Sequence, residues 1–123
     1  KGGVFFATNM SNINANSKTA LDKLVQIFNN YPETNILIEG HTDDVGDAAY
    51  NESLSQKRAD AVGDFLRAAN IASSRLTIKS YGETQPKVEN SSDAGRALNR
   101  RVEFGITAND KLKQEAATEA AKQ

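Results

Sequence analysis

Apolar residues recur along this chain with two periods. Leu21, Leu24, Val25 and Phe28 fall at helical spacing and predict a helix running to about Asn30. Asn16 or Ser17 is expected to cap it. Tyr31-Pro32 should end it, because the residue before proline avoids the α region. A second helical stripe is made of Ala59, Val62, Phe65, Leu66 and Ala69. Elsewhere the period is two. Val4–Ala7 is a short apolar run that reads as a strand. In Asn35–His41, Ile36 and Ile38 point one way while Leu37, Glu39 and His41 point the other. Leu76–Tyr81 turns Leu76 and Ile78 inward and Thr77 and Lys79 outward. Arg101–Thr107 turns Val102, Phe104 and Ile106 inward and Arg101, Glu103 and Thr107 outward.

This alternation points to an architecture. Strands buried on both faces would be continuously apolar, whereas Glu39, Lys79, Arg101 and Glu103 leave one sheet face polar. Two helices then cover only the other face. The expected fold class is α+β: an open-faced sandwich of order β-α-β-α-β-β, with a mixed four-stranded sheet and helices on one face. Helical crossovers make at least some neighbouring strands parallel. The stretch Gly82–Asn99, with Pro86 and Asn90-Ser91-Ser92, reads as a long loop in which Asp93 could cap a short helix over Ala94–Leu98. Residues 1–108 are expected to form the domain. Residues 109–123, rich in Ala, Lys, Gln and Glu, read as a polar tail, helical or disordered.

Composition narrows the function. A chain of 123 residues with 38% hydrophobic content suits one domain. A net charge of -1 supplies no basic field, so nucleic acid is not an expected partner. The chain has no cysteine, which removes disulfides and thiol chemistry. No apolar run reaches the roughly 18 residues of a membrane span. The chain lacks a signal peptide and does not begin with Met, so it reads as a piece of a longer protein. Any membrane association is expected through segments outside it.

The candidate chemistry lies between Ile36 and Arg58. The strand leads into Thr42-Asp43-Asp44-Val45-Gly46-Asp47, and Arg58 follows Asp43 by fifteen residues. On one unbroken helix from Ala48, Arg58 would sit about 15 Å along the axis. A break with Ser55 as a second cap would bring it nearer, and that break is the favoured expectation. A carboxylate and a guanidinium that do not simply pair can together receive a zwitterion: Asp43 accepts from an ammonium, and Arg58 grips a carboxylate with two prongs. Equally, the two residues could form a plain salt bridge pinning loop to helix. From these residues alone both readings stand.

A longer pattern bears on the choice. Ile38-Glu39-Gly40-His41-Thr42-Asp43, Gly46, Tyr50-Asn51, Leu54-Ser55 and Arg58-Ala59 resemble the signature of the OmpA-like C-terminal domain. The resemblance continues through Tyr81-Gly82-Glu83, Pro86, Asn90 and Gly95-Arg96-Ala97-Leu98-Asn99-Arg100-Arg101-Val102-Glu103. Phe5-Phe6 with Thr8-Asn9 fits the family's first strand and turn, so the likeness covers residues 4 to 107. It implies a peptidoglycan-binding domain, not an enzyme, that grips the diaminopimelate of the stem peptide without a cofactor. It further implies a periplasmic place as part of an outer-membrane-associated protein. By the same resemblance Asp43 and Arg58 are the principal contacts, with Asn9, Thr42, Asn51, Leu54 and Arg100 secondary. Asp43→Ala and Arg58→Ala are each expected to abolish wall binding and spare the fold.

Other readings compete at single residues. His41, the only histidine, is expected to make a structural hydrogen bond in preference to acting as a base or metal ligand. Asp43, Asp44 and Asp47 lack the spacing of a calcium loop, and no metal is expected; Asp44 and Asp47 read as caps or solvated residues. Ser55 with His41 and Asp43 lacks the glycine pattern of a nucleophile elbow. Arg100 reads either as a solvated loop residue or as a second clamp on ligand carboxylates. Arg101 reads by strand parity as a partner of Glu103 or Glu39. An enzyme acting on the wall and a purely protein-binding module are the alternatives from other classes.

Overall fold

The computed structural model describes residues 3–109 together with Lys113 and Gln114. Most of the tail expected over residues 109–123 lies outside the described residues. In chain order the elements are β1 (Val4–Phe5), α1 (Ala15–Asn30), β2 (Thr34–Gly40), α2 (Ala48–Ala68), a 3-10 turn (Ser73–Arg75), β3 (Leu76–Ser80), α3 (Asp93–Asn99) and β4 (Arg101–Ala108).

The sheet order is β1-β4-β2-β3. β2 and β3 are parallel, from Ile36 opposite Leu76 to Gly40 opposite Ser80. β4 runs antiparallel to β2, with Ile38 opposite Phe104, and to β1, with Val4 opposite Val102. The mixed sheet arises because α2 carries the chain back over the sheet to start β3 in the direction of β2. Helix residues Leu21 and Phe28 of α1 and Ala59, Val62 and Leu66 of α2 join strand residues Val4, Ile36, Ile38 and Val102 in one buried cluster. Both long helices therefore cover the same face, as the alternation predicted.

Local expectations are corrected at three places. The α1 cap is Asn14, whose Oδ1 accepts from the Ser17 amide at 2.8 Å; Ser17 itself is buried, its hydroxyl donating to Phe5 O at 3.3 Å. The α3 cap is Ser92 in place of Asp93, its hydroxyl accepting from the Gly95 amide at 3.0 Å. Ile106 is 51% exposed although its parity points it to the helix side. Among the described residues β1 pairs with β4 only at Val102 and Arg101, so the far end of β4 lacks that neighbour.

The polar face is not bare. Glu39 stands between Lys79 and Glu103 in register, and its carboxylate accepts from Tyr81 Oη at 3.0 Å. Arg101 points outward as expected but is buried, under the connection between β3 and β4. It donates to Glu103 at 2.5 Å, to Gln85 O at 3.2 Å and to Asn99 O at 3.3 Å. That connection is organised by Asn99, whose Oδ1 accepts from the Lys87 and Val88 amides and whose Nδ2 donates to Val88 O and Asn90 Oδ1.

Candidate functional site

The site forms where β2 runs out beneath the middle of α2. Gly40 is the last residue of β2, and a Cβ there would lie 2.0 Å from the Ser55 carbonyl oxygen and 3.2 Å from Ala59 Cβ. Only glycine lets the strand end and the helix approach so closely. This crossing replaces the expected break at Ser55. The helix is continuous from its Asp47 cap, and Ser55 is an interior residue whose hydroxyl donates to Glu52 O at 2.8 Å and accepts from the Gly82 amide at 2.9 Å. Arg58, one turn beyond the crossing, is carried to the strand end by packing and needs no second cap.

Arg58 is fully buried. Its Nε donates to Met10 O at 2.8 Å, its Nη2 to Ala7 O at 3.1 Å and its Nη1 to His41 O at 3.0 Å. The guanidinium also lies 5.2 Å from the centroid of the Phe6 ring. Burial pulls its pKa down to about 10, opposed by the charge of Asp43 and assisted by that of Arg100. It thus remains a cation at neutral pH. A side chain whose donors hold three main-chain carbonyls on two segments is built into the scaffold, so its removal is expected to bear on folding as well as on binding.

Asp43 does not pair with Arg58 by hydrogen bond. Its Oδ2 accepts from Arg100 Nη1 at 3.2 Å and its Oδ1 from the Val45 amide at 3.1 Å. Arg100 in turn donates from Nε to Phe6 O at 2.9 Å. Asp43 is thus paired directly with Arg100 and lies close enough to Arg58 for its charge to act on that guanidinium. Arg100, expected only as a secondary contact or a second clamp on a ligand carboxylate, is the direct partner of Asp43.

The remaining candidates fall into two groups. Thr42 and Asn51 are buried and hold the loop: the Thr42 hydroxyl donates to Asp43 O at 2.7 Å, and Asn51 Nδ2 donates to Val45 O at 3.1 Å and Glu83 Oε1 at 2.8 Å. Leu54 is buried beside them on α2. Asn9 is exposed, in a turn with φ 59°, and its Oδ1 accepts from Tyr50 Oη at 3.3 Å. Glu83 and Tyr50 are contributors that the sequence reading did not single out. A buried Asn51 amide demands an acceptor, but only the fold shows that Glu83 provides it.

His41 departs from expectation. Its Nδ1 is buried without a hydrogen-bond partner, and the ring instead stacks on Tyr81 with centroids 5.3 Å apart. Burial, with the Arg101 charge, lowers its pKa to about 4 against the opposing pull of Glu103. Asp47 caps α2 through the Tyr50 amide at 2.7 Å. Among the described residues no group of three or more His, Cys, Asp or Glu is arranged to hold a metal.

Fold and sequence together define a class. The crystal structure of the peptidoglycan-associated lipoprotein from Burkholderia pseudomallei matches with a TM-score of 0.83 at 29% identity, covering 87% of this chain and 91% of that one. The chain has the OmpA-like fold. The OmpA family model matches residues 5–100, and the chain belongs to the OmpA family. It is 43% identical over 105 residues to outer membrane porin F of Pseudomonas fluorescens, covering 85% of this chain and 32% of that protein. It is 42% identical over 83 residues to the peptidoglycan-associated lipoprotein of Mesorhizobium japonicum, covering 68% of this chain and 49% of that protein. The chain thus spans half or less of the length of these two relatives.

Proposed function

We propose that this domain binds peptidoglycan non-covalently in the periplasm, through the diaminopimelate of the stem peptide, and ties an outer-membrane protein to the cell wall. The observation that carries this reading is the Asp43–Arg100 pair at the end of β2, with Arg58 close enough for the Asp43 charge to act on it. Diaminopimelate ends in an amino-acid head group, with an ammonium and a carboxylate on one carbon. Asp43 is suited to the ammonium; the guanidiniums are suited to the carboxylate. The names of its relatives, outer-membrane porin and peptidoglycan-associated lipoprotein, favour the same reading.

Binding of this kind makes and breaks no bond. A single head group gives a modest, reversible contact, and many copies on one wall sheet add avidity. The test is co-sedimentation with insoluble, diaminopimelate-containing peptidoglycan. The wild-type chain should sediment with the wall, and Asp43→Ala should stay in solution while keeping its circular dichroism spectrum. Equal sedimentation of both would sink the assignment.

A further inference from the structure

Residues 7–10 form a tight turn, closed by the Met10 amide donating to Ala7 O at 3.1 Å. Two side chains of α2 clasp it from beneath. Arg58 donates from Nε to Met10 O at 2.8 Å and from Nη2 to Ala7 O at 3.1 Å. Tyr50, about 12 Å further back along the helix, donates from its hydroxyl to Asn9 Oδ1 at 3.3 Å.

Nε and Nη2 form one edge of the guanidinium, with two parallel N–H groups. It is an edge on which a carboxylate seats both oxygens. Here two main-chain carbonyls fill it, in the positions a ligand's two oxygens would take. Arg58 is 0% exposed and Tyr50 is 45% exposed. A carboxylate arriving from solvent cannot touch this edge while the turn is in place.

We propose that Tyr50 is a further positioning residue of the binding site. It latches residues 7–10 onto Arg58, and a ligand carboxylate must displace the turn's two carbonyls to be gripped. This rests on the reading of the site as a receiver of an amino-acid head group. The exchange has a direction, because a charged carboxylate bonds a guanidinium more strongly than neutral carbonyls do. The latch opposes it, so the apparent affinity is the intrinsic affinity multiplied by the fraction of molecules in which the turn is open.

The sign of the Tyr50 effect separates a latch from a structural support. Tyr50→Phe keeps the ring, whose Cδ2 lies 3.7 Å from where a Cβ added at Gly46 would stand, and removes only the hydroxyl. Loss of a support would weaken binding; loss of a latch strengthens it. The experiment is titration of the isotope-labelled chain with meso-diaminopimelate, followed by NMR at the Arg58 Nε–H and at the carbonyl carbons of Ala7 and Met10. All three should move on one saturation curve, and Tyr50→Phe should lower Kd by roughly 2- to 3-fold, the low end for an exposed hydrogen bond. An unchanged or raised Kd in Tyr50→Phe overturns the latch. So does an Arg58 shift with both carbonyls unmoved. Shifts confined to Asp43 and Arg100 overturn it and leave the proposed function standing. Absence of any shift overturns both.

Discussion

Arg100 Nη1 donates to the Asp43 carboxylate at 3.2 Å, joining residues 57 apart in the chain. Both side chains are largely buried, at 17% and 8% exposure, so the pair is poorly screened by solvent. Arg100 is also tied by Nε to Phe6 O. Arg100→Ala should therefore cost about 1–3 kcal/mol of stability, measured by urea unfolding, by leaving a buried carboxylate one donor short. It should also weaken peptidoglycan binding by about tenfold or more, since a charged contact of 1.4 kcal/mol is a factor of ten. Arg100→Lys keeps the charge but not the fork, and should fall between the two. Binding unaffected by Arg100→Ala would remove this residue from the site.

Arg58 should behave differently. Its removal strands the carbonyls of Ala7, Met10 and His41 and leaves a cavity in place of a fully buried side chain. Arg58→Ala should cost about 3 kcal/mol or more, a large part of the stability of a small domain. Loss of wall binding by this variant thus reports partly on folding, whereas Asp43→Ala reports mainly on the ligand. Thermal unfolding of the two variants side by side decides it: Arg58→Ala should melt well below Asp43→Ala.

Much of this was legible in the sequence, and the gaps have physical causes. The periods around Leu21–Phe28, Ile36–Ile38 and Ala59–Leu66 revealed which residues face the core, because burial imposes those periods directly. The position of Arg58 was not legible in that way. Helix geometry measured from Ala48 suggested a break, but the relevant distance is set by where β2 crosses α2, a tertiary fact. Gly40 was the available clue, since a strand-end glycine often marks close backbone approach. The Asp43–Arg100 pair bridges too much chain for spacing to reveal it. Burial of Arg101 and His41 was likewise hidden, because a loop covers a sheet face that alternation alone marks as polar.

Gly40 makes that crossing testable. An alanine methyl at this position would meet the Ser55 carbonyl at 2.0 Å, and this contact is with backbone, which cannot rotate away. Gly40→Ala should force β2 and α2 apart at the site and destabilise the domain by about 3 kcal/mol, the upper range for overpacking. The displacement should carry Arg58 away from His41 O, so ligand affinity should fall in whatever fraction remains folded. A variant with wild-type melting temperature and wild-type binding would contradict the close approach.

His41 predicts how stability responds to acid. Its ring is buried against Tyr81, with Arg101 and Glu103 the charged groups that act on it. The folded pKa is about 4 and the ordinary value 6.5, so the folded state binds its proton less readily than the unfolded chain. The stabilising contribution is complete above pH 6.5 and is lost as pH falls through about 4, amounting to ~3 kcal/mol. Glu103 acts in a lower window. Burial would raise its carboxyl, but the hydrogen bond and charge of Arg101 outweigh that and hold it below the usual range, so its contribution fades only under stronger acid. His41→Phe preserves an aromatic ring on Tyr81 and removes the titration. Urea unfolding at pH 7, 6, 5 and 4 should show the wild-type chain losing stability steeply between pH 6.5 and 4, with His41→Phe much flatter. Parallel curves for the two proteins would mean that His41 is not what couples this fold to pH.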